Sequence, residues 1–359
     1  MMGMKVGFPK LMLLAVIVAA IALAGERVLG GEHGSGSLLL AMVFWIGLTE
    51  GCVALMAGAE ITHASWHRPI FTRMVAAQPM LLVMVVVFAV RATQLDQYPW
   101  AHDAGAWLNK PFFIVRHIVL LLAVWATARR FTSVTYKGLD SRRRWAVIYC
   151  ILFMAHMSMI GFEWVMSLEK PWVSTLFGAW FMVGAWLSGI CTAAVVLYRI
   201  RSEFDEGLRY AQKSIGALIF GIATFWAYFY FSQLIVIWFG NLPEEIGYLA
   251  RRIGYHTSYW FVARLIFGLV WVVPFTVLLS RANKTRPHVT VWLAMSIFTG
   301  LVLEFWLMIH PVVHVNVVLG AVYMLAMGMV FASVMRSGEA LLPQGGMTTA
   351  PASPEPAHH

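Results

Sequence analysis

Two polar inserts interrupt an otherwise apolar chain: GFEWVMSLEKPW at 161 to 172 and YFSQLIVIWFGNLPEEIGYLARR at 230 to 252. They bring four carboxylates (Glu163, Glu169, Glu244, Glu245), Gln233 and two arginines (Arg251, Arg252) to the ends of long hydrophobic runs. Carboxylates exchange protons, arginines hold them ionised, and an amide can hold a carbonyl or hydroxyl oxygen. An ionised side chain near a bilayer centre costs about 2.5 to 3.5 kcal/mol on insertion scales, so charge placed there needs a partner or a function.

The same reasoning selects Glu50, Arg91, Arg116, His117, His156, Glu163, Arg264 and Glu304, all within apolar runs. Position along each run places Arg91, Arg116, Glu163, Arg264 and Glu304 towards one face and Glu50 and His156 near the middle. Together they could form a carboxylate, arginine and histidine chain, which is what a proton relay or a quinol site requires. Glu163, Glu169, Glu304 and His156 are the candidate proton carriers. Arg91, Arg116, Arg264 and Gln233 are the candidates for holding quinol oxygens or tuning the relay. The competing reading is that the charges pair only to hold helices together. Glu60 and His63, at the opposite end of their run, are expected to meet headgroups and water.

These residues need helices to position them, and composition supplies the helices. Of 359 residues, 60% are hydrophobic and 12% charged, with a mean hydropathy of +0.74. Soluble domains carry about 25% charged residues. The expected fold is an all-α integral membrane domain over 1 to 337, followed by a disordered tail over 338 to 359. Ten runs suffice to cross a bilayer: 8 to 25, 37 to 62, 76 to 95, 111 to 132, 144 to 166, 173 to 199, 213 to 240, 259 to 280, 288 to 310 and 313 to 336. Lys5 and Lys10 before the first run and Ala22-Leu23-Ala24 within it also fit a cleavable signal peptide, and the other nine spans keep their orientation either way.

Counting Lys and Arg by alternate connections puts eighteen on the side of the N-terminus and five on the other (Arg27, Lys110, Lys170, Arg251, Arg252). The positive-inside rule then makes both termini cytoplasmic and both polar inserts outer, in a bacterial inner membrane. The formal charge of +9 follows from this bias and does not call for nucleic acid. Cys52, Cys150 and Cys191 lie inside runs without C-x-x-C spacing, so no iron–sulfur or zinc site is expected. His310 and His314 are split by Pro311 and a turn, and His117 and His156 occur singly, so paired haem ligands are not expected. The aromatics Trp226, Tyr228, Phe229, Tyr230, Phe231 and Trp238 suit an interfacial belt or a flat apolar cleft equally. Pro171, Pro243 and Pro311 mark helix ends, and Glu244 and Glu245 open a short outer helix.

SLEKPWVSTLFGAWF (167 to 181), YFSQLIVIWFGNLPEEIGYLARR and VVPFTVLLSRANK (272 to 284) resemble the second quinone-binding membrane subunit (ActF type) of bacterial alternative complex III, in the NrfD and polysulfide-reductase membrane-subunit superfamily. Weaker similarity covers 44 to 74 and 111 to 121, and NLPEE is the most specific part. The resemblance implies two four-helix bundles, spans two to five and six to nine, flanked by spans one and ten. It further implies a quinol:cytochrome c oxidoreductase complex with a homologous quinol-oxidising subunit, an iron–sulfur subunit and multihaem cytochrome c subunits. This subunit would carry no redox metal and no covalently bound cofactor; quinol or menaquinol is the implied ligand and proton conduction the implied role. Where the family has a proline and a histidine after SLE, this chain has Lys170, Pro171 and Trp172. A purely structural anchor for the quinol-oxidising subunit is the alternative. A secondary transporter is the other, disfavoured because no broken-helix signature recurs in both halves.

Overall fold

The computed structural model describes residues 8–31, 34–254, 257 and 259–339. Lys5, the tail from 340 onward and the side chain of Glu244 lie outside the described residues. Among those described, ten helices are long and apolar enough to cross a membrane. They are α1 (Pro9–Leu29), α2 (Gly36–Ile61), α3 (Arg68–Gln97), α4 (Lys110–Tyr136), α5 (Arg142–Leu168), α6 (Leu176–Arg199) and α7 (Glu206–Gly240), then α9 (Trp260–Leu278), α10 (Pro287–Ile309) and α11 (Val317–Ser337). Between α7 and α9 lies the short helix α8 (Pro243–Ile253), opened by its proline and carrying Arg251 and Arg252 in its last turn. The protein is an all-α, multi-pass membrane protein.

Helices α2 to α5 pack in a closed ring, and α6, α7, α9 and α10 form a second. The two rings meet along α2 and α6, while α1 and α11 flank the first against α3 and α2. The junction depends on absent side chains: a Cβ on Gly51 would sit 2.0 Å from the Ala185 carbonyl oxygen, and one on Gly189 2.2 Å from the Gly51 carbonyl carbon. Backbones this close explain why α2 is buried almost throughout. Without a hydrophobic force between helices in lipid, such close packing supplies the association energy.

Caps set several boundaries. Asp205 accepts from Leu208 N at 2.7 Å, which starts α7 two turns before the apolar run and gives it 35 residues. At about 1.5 Å per residue it reaches about 52 Å, well beyond a hydrocarbon core of about 30 Å. It ends at Asn241, in the left-handed region at φ 50°. Asn109 caps α4 through Phe112 N at 3.0 Å. Helix α3 is interrupted at Pro79 and tightens to 3-10 geometry over Ala92–Gln97. Helix α5 widens into a π-helical turn over Ile160–Val165, and α9 does so over Gly268–Val272. π-Turns are rare and frequent at functional sites, and the one in α5 carries Glu163. The last helix continues to Glu339, so the start of the expected tail is still helical.

Candidate functional site

Some of the charges gathered by sequence position come together in two separate groups, one within the first ring and one around α8. In the first, the π-turn of α5 directs Glu163 towards α4, where Arg116 and His117 both meet it. Arg116 Nε lies 3.2 Å from Glu163 Oε2, with a second, closer contact from Nη2. His117 Nε2 donates to the same oxygen at 2.9 Å. The indole of Trp107 donates to Glu163 Oε1 at 2.9 Å. Arg116 is held between two rings, its guanidinium 4.5 Å from the centroids of both Trp107 and Phe112. Trp107 is 57% exposed, so this end of the group opens to the surface, whereas His117 is fully buried.

Deeper along α5, His156 Nδ1 donates to Glu50 Oε1 of α2 at 2.7 Å, and both side chains have no exposure. Tyr149 donates to the Glu50 carbonyl oxygen at 3.0 Å. The rings of His117 and His156 lie with centroids 6.4 Å apart, tilted by 46° to one another. Each has one nitrogen on a carboxylate and the other (His117 Nδ1, His156 Nε2) without a partner in the protein; Glu50 Oε2 is likewise unpartnered. The result is a file of Glu163, His117, His156 and Glu50 that runs from one end of α4 and α5 to the middle of α2 and α5. An imidazole binds a proton at one nitrogen and releases one from the other, so this order suits proton passage.

In the second group, Glu169 does not join Glu163. It forms ion pairs with Arg251 and, at 2.6 Å, with Arg252 of α8. Arg252 also donates to the carbonyls of Tyr248 (3.2 Å), Leu307 (3.2 Å) and Met308 (2.8 Å), satisfying the end of α10. Tyr248 stacks on Trp172 at 3.6 Å, and burial pushes its phenol up to about 12. Glu304 lies deeper on α10, buried, accepting from Trp226 Nε1 at 3.3 Å with the Trp180 indole beside it.

Several expectations need correction. Arg264 does not turn inward: it is exposed and rests 4.1 Å over the Trp260 ring. Arg91 is buried yet meets no carboxylate among the described residues, donating to the Gln94 carbonyl at 3.1 Å and its side-chain oxygen at 3.3 Å. Gln233 is buried and accepts from Ser174 at 2.7 Å. Arg91, Arg264 and Gln233 contact Gln94, Trp260 and Ser174 respectively, and none of these contacts joins the three to one another. An apolar groove of about 490 Å³, lined by Phe44, Trp45, Phe298 and Phe331, contains none of them. Glu60 is buried rather than wetted, held by Arg142 Nε at 2.6 Å and by His67 at 3.3 Å; His63 is exposed beside Arg143. Among the described residues no three His, Cys, Asp or Glu side chains converge as a metal site.

Sequence reasoning missed Trp107 and His67 as partners, and it counted His117 among the ionisable residues of the apolar runs and as a single haem-ligand candidate without naming it a proton carrier. The adjacency of Arg116 and His117 was the available signal. No family model and no curated protein matches the chain.

Proposed function

We propose that this chain is a membrane subunit of a quinol:electron-acceptor oxidoreductase of the alternative complex III type, and that its first ring conducts protons. The observation that carries the reading is the buried file Glu163, His117, His156, Glu50. Three charged or ring donors hold the outer carboxylate at its mouth, and two imidazoles with unused nitrogens follow. With His117 in its Nδ1–H tautomer, a protonated Glu163 donates to His117 Nε2 and the Nδ1 proton leaves, after which ring reorientation restores the Nε2–H donor to the carboxylate. Transfer from His117 Nδ1 to His156 Nε2, on rings with centroids 6.4 Å apart, runs through a bridging water, and His156 Nδ1 delivers to Glu50. The resemblance of the two inserts to that subunit family supplies the redox context. In this reading both termini are cytoplasmic in a bacterial inner membrane, and a homologous membrane subunit oxidises quinol beside iron–sulfur and multihaem cytochrome c subunits. Because Arg91, Arg264 and Gln233 stand apart, no step here is assigned to quinol bound by this chain.

The structural-anchor reading has its own support at α8, where Glu169 ties the helix to the α5–α6 connection through Arg251 and Arg252 and Arg252 also ties it to α10. The two readings therefore divide by group. The test is Glu163→Gln in the purified complex in liposomes: quinol oxidation continues, while proton movement per electron falls. Unchanged turnover and coupling refute conduction through this file. Lower yield with unchanged activity per complex assigns Glu163 to bracing as well.

A further inference from the structure

The hairpin joining α4 to α5 concentrates positive charge in a way the proton file does not explain. From 129 to 144 it carries Arg129, Arg130, Lys137, Arg142, Arg143 and Arg144 against a single acid, Asp140. Arg142 is used internally, in an ion pair with Glu60. Arg130, Lys137, Arg143 and Arg144 are exposed. On the same face the α6–α7 connection balances Arg199, Arg201, Arg209 and Lys213 with Glu203, Asp205 and Glu206. The positive-inside bias asks for basic residues at this face but not for the removal of acids from one hairpin, since acids contribute little to it.

The geometry around these cations is that of a headgroup layer. The Arg130 guanidinium lies 5.5 Å from the ring of Trp145 on the neighbouring helix, and Arg129 lies 5.8 Å over Trp125. Arg143 meets His63 Nδ1 at 2.8 Å. Tyr136 and Leu139 are 46% and 43% exposed at the turn itself. Indoles set the depth of an interface, and a guanidinium presents a planar fork that fits phosphate oxygens. A soluble acidic partner would gain from the charge but not from the apolar turn. We propose that this hairpin end binds the phosphate headgroups of anionic lipids, with Arg130, Arg143, Arg144 and Lys137 as phosphate donors and Tyr136 and Leu139 seated among the acyl chains.

The test uses the full chain in detergent, titrated with phosphatidylglycerol, phosphatidylcholine or inorganic phosphate and read by melting temperature and native mass spectrometry. Phosphatidylglycerol raises the melting temperature by several degrees and stays bound, and rising salt releases it. The variant R130Q/K137Q/R143Q/R144Q retains less than half of the lipid, while R201Q/R209Q/K213Q/R281Q, which removes the same charge elsewhere, retains it all. Equal loss in both variants, an equal shift with phosphatidylcholine or inorganic phosphate, or salt-independent binding by the native chain overturns the proposal. Stronger displacement by polyglutamate than by soluble short-chain phosphatidylglycerol overturns it in favour of an acidic protein.

Discussion

Replacing Arg252 with alanine tests how the second ring is braced. The side chain is 4% exposed and makes three hydrogen bonds to carbonyls, at 2.8 to 3.2 Å, besides its ion pair with Glu169. Breaking a buried ion pair by removing one partner costs about 3 to 5 kcal/mol. Arg251 remains on Glu169, which puts the electrostatic loss at the lower end, about 3 kcal/mol. The carbonyls of Leu307 and Met308 belong to the buried end of α10 and lose their donors, adding about 1 kcal/mol, the low end for buried groups left unpaired. The expected destabilisation is about 4 kcal/mol. Arg252→Lys keeps the charge but not the fork, and should lose about half as much. Tryptophan-fluorescence melting in detergent reads the stability, and limited proteolysis after α8 reads its release from α10. An alanine variant that melts with the native protein and leaves α8 protected would refute the bracing role.

Other outcomes follow from the same geometry. Gly51→Leu places side-chain atoms where a Cβ alone meets the Ala185 carbonyl at 2.0 Å; it should abolish stable membrane insertion, measured as folded yield, by separating the two rings. Trp107→Phe removes one donor to Glu163 while keeping a ring beside Arg116; stability should fall by about 1 kcal/mol, with slower proton uptake in stopped-flow pH measurements. His310, beyond the end of α10, accepts from Val315 N at 3.0 Å, and burial together with the neighbouring His314 holds it below the ordinary histidine range. The unfolded chain therefore binds more protons as pH falls through about 6.5, so stability is present above that pH and declines below it. Melting curves from pH 7.5 to 5 should show the decline, and His310→Gln should lessen it.

The class of fold was legible because hydropathy is a property of each residue and its neighbours. Ten runs of sufficient length mapped onto ten helices, and the start of α7 moved only because Asp205 caps it earlier than the apolar run begins. The meeting of charges was less legible, because each residue turns a helix by about 100°. Depth placed Arg264 beside Glu163, yet its azimuth sends it outward onto Trp260. Arg116 and His117 both reach Glu163 because the π-turn shifts the register of α5. Glu169 finds its partners 82 and 83 positions away on α8, a pairing that chain order does not encode. Glu60 was read by its place at a helix end, but Arg142 and His67 close over it.

The central claim is that Glu163 and Glu50 are stations on one proton file. Its most direct test compares proton movement in liposomes carrying the intact complex with Glu163→Gln, Glu50→Gln or both. Stations in series predict that each change lowers proton movement by about 10²-fold or more, that the double variant is no worse than either single one, and that quinol oxidation persists. Losses that multiply in the double variant, or proton movement that stays at the native rate, would contradict it.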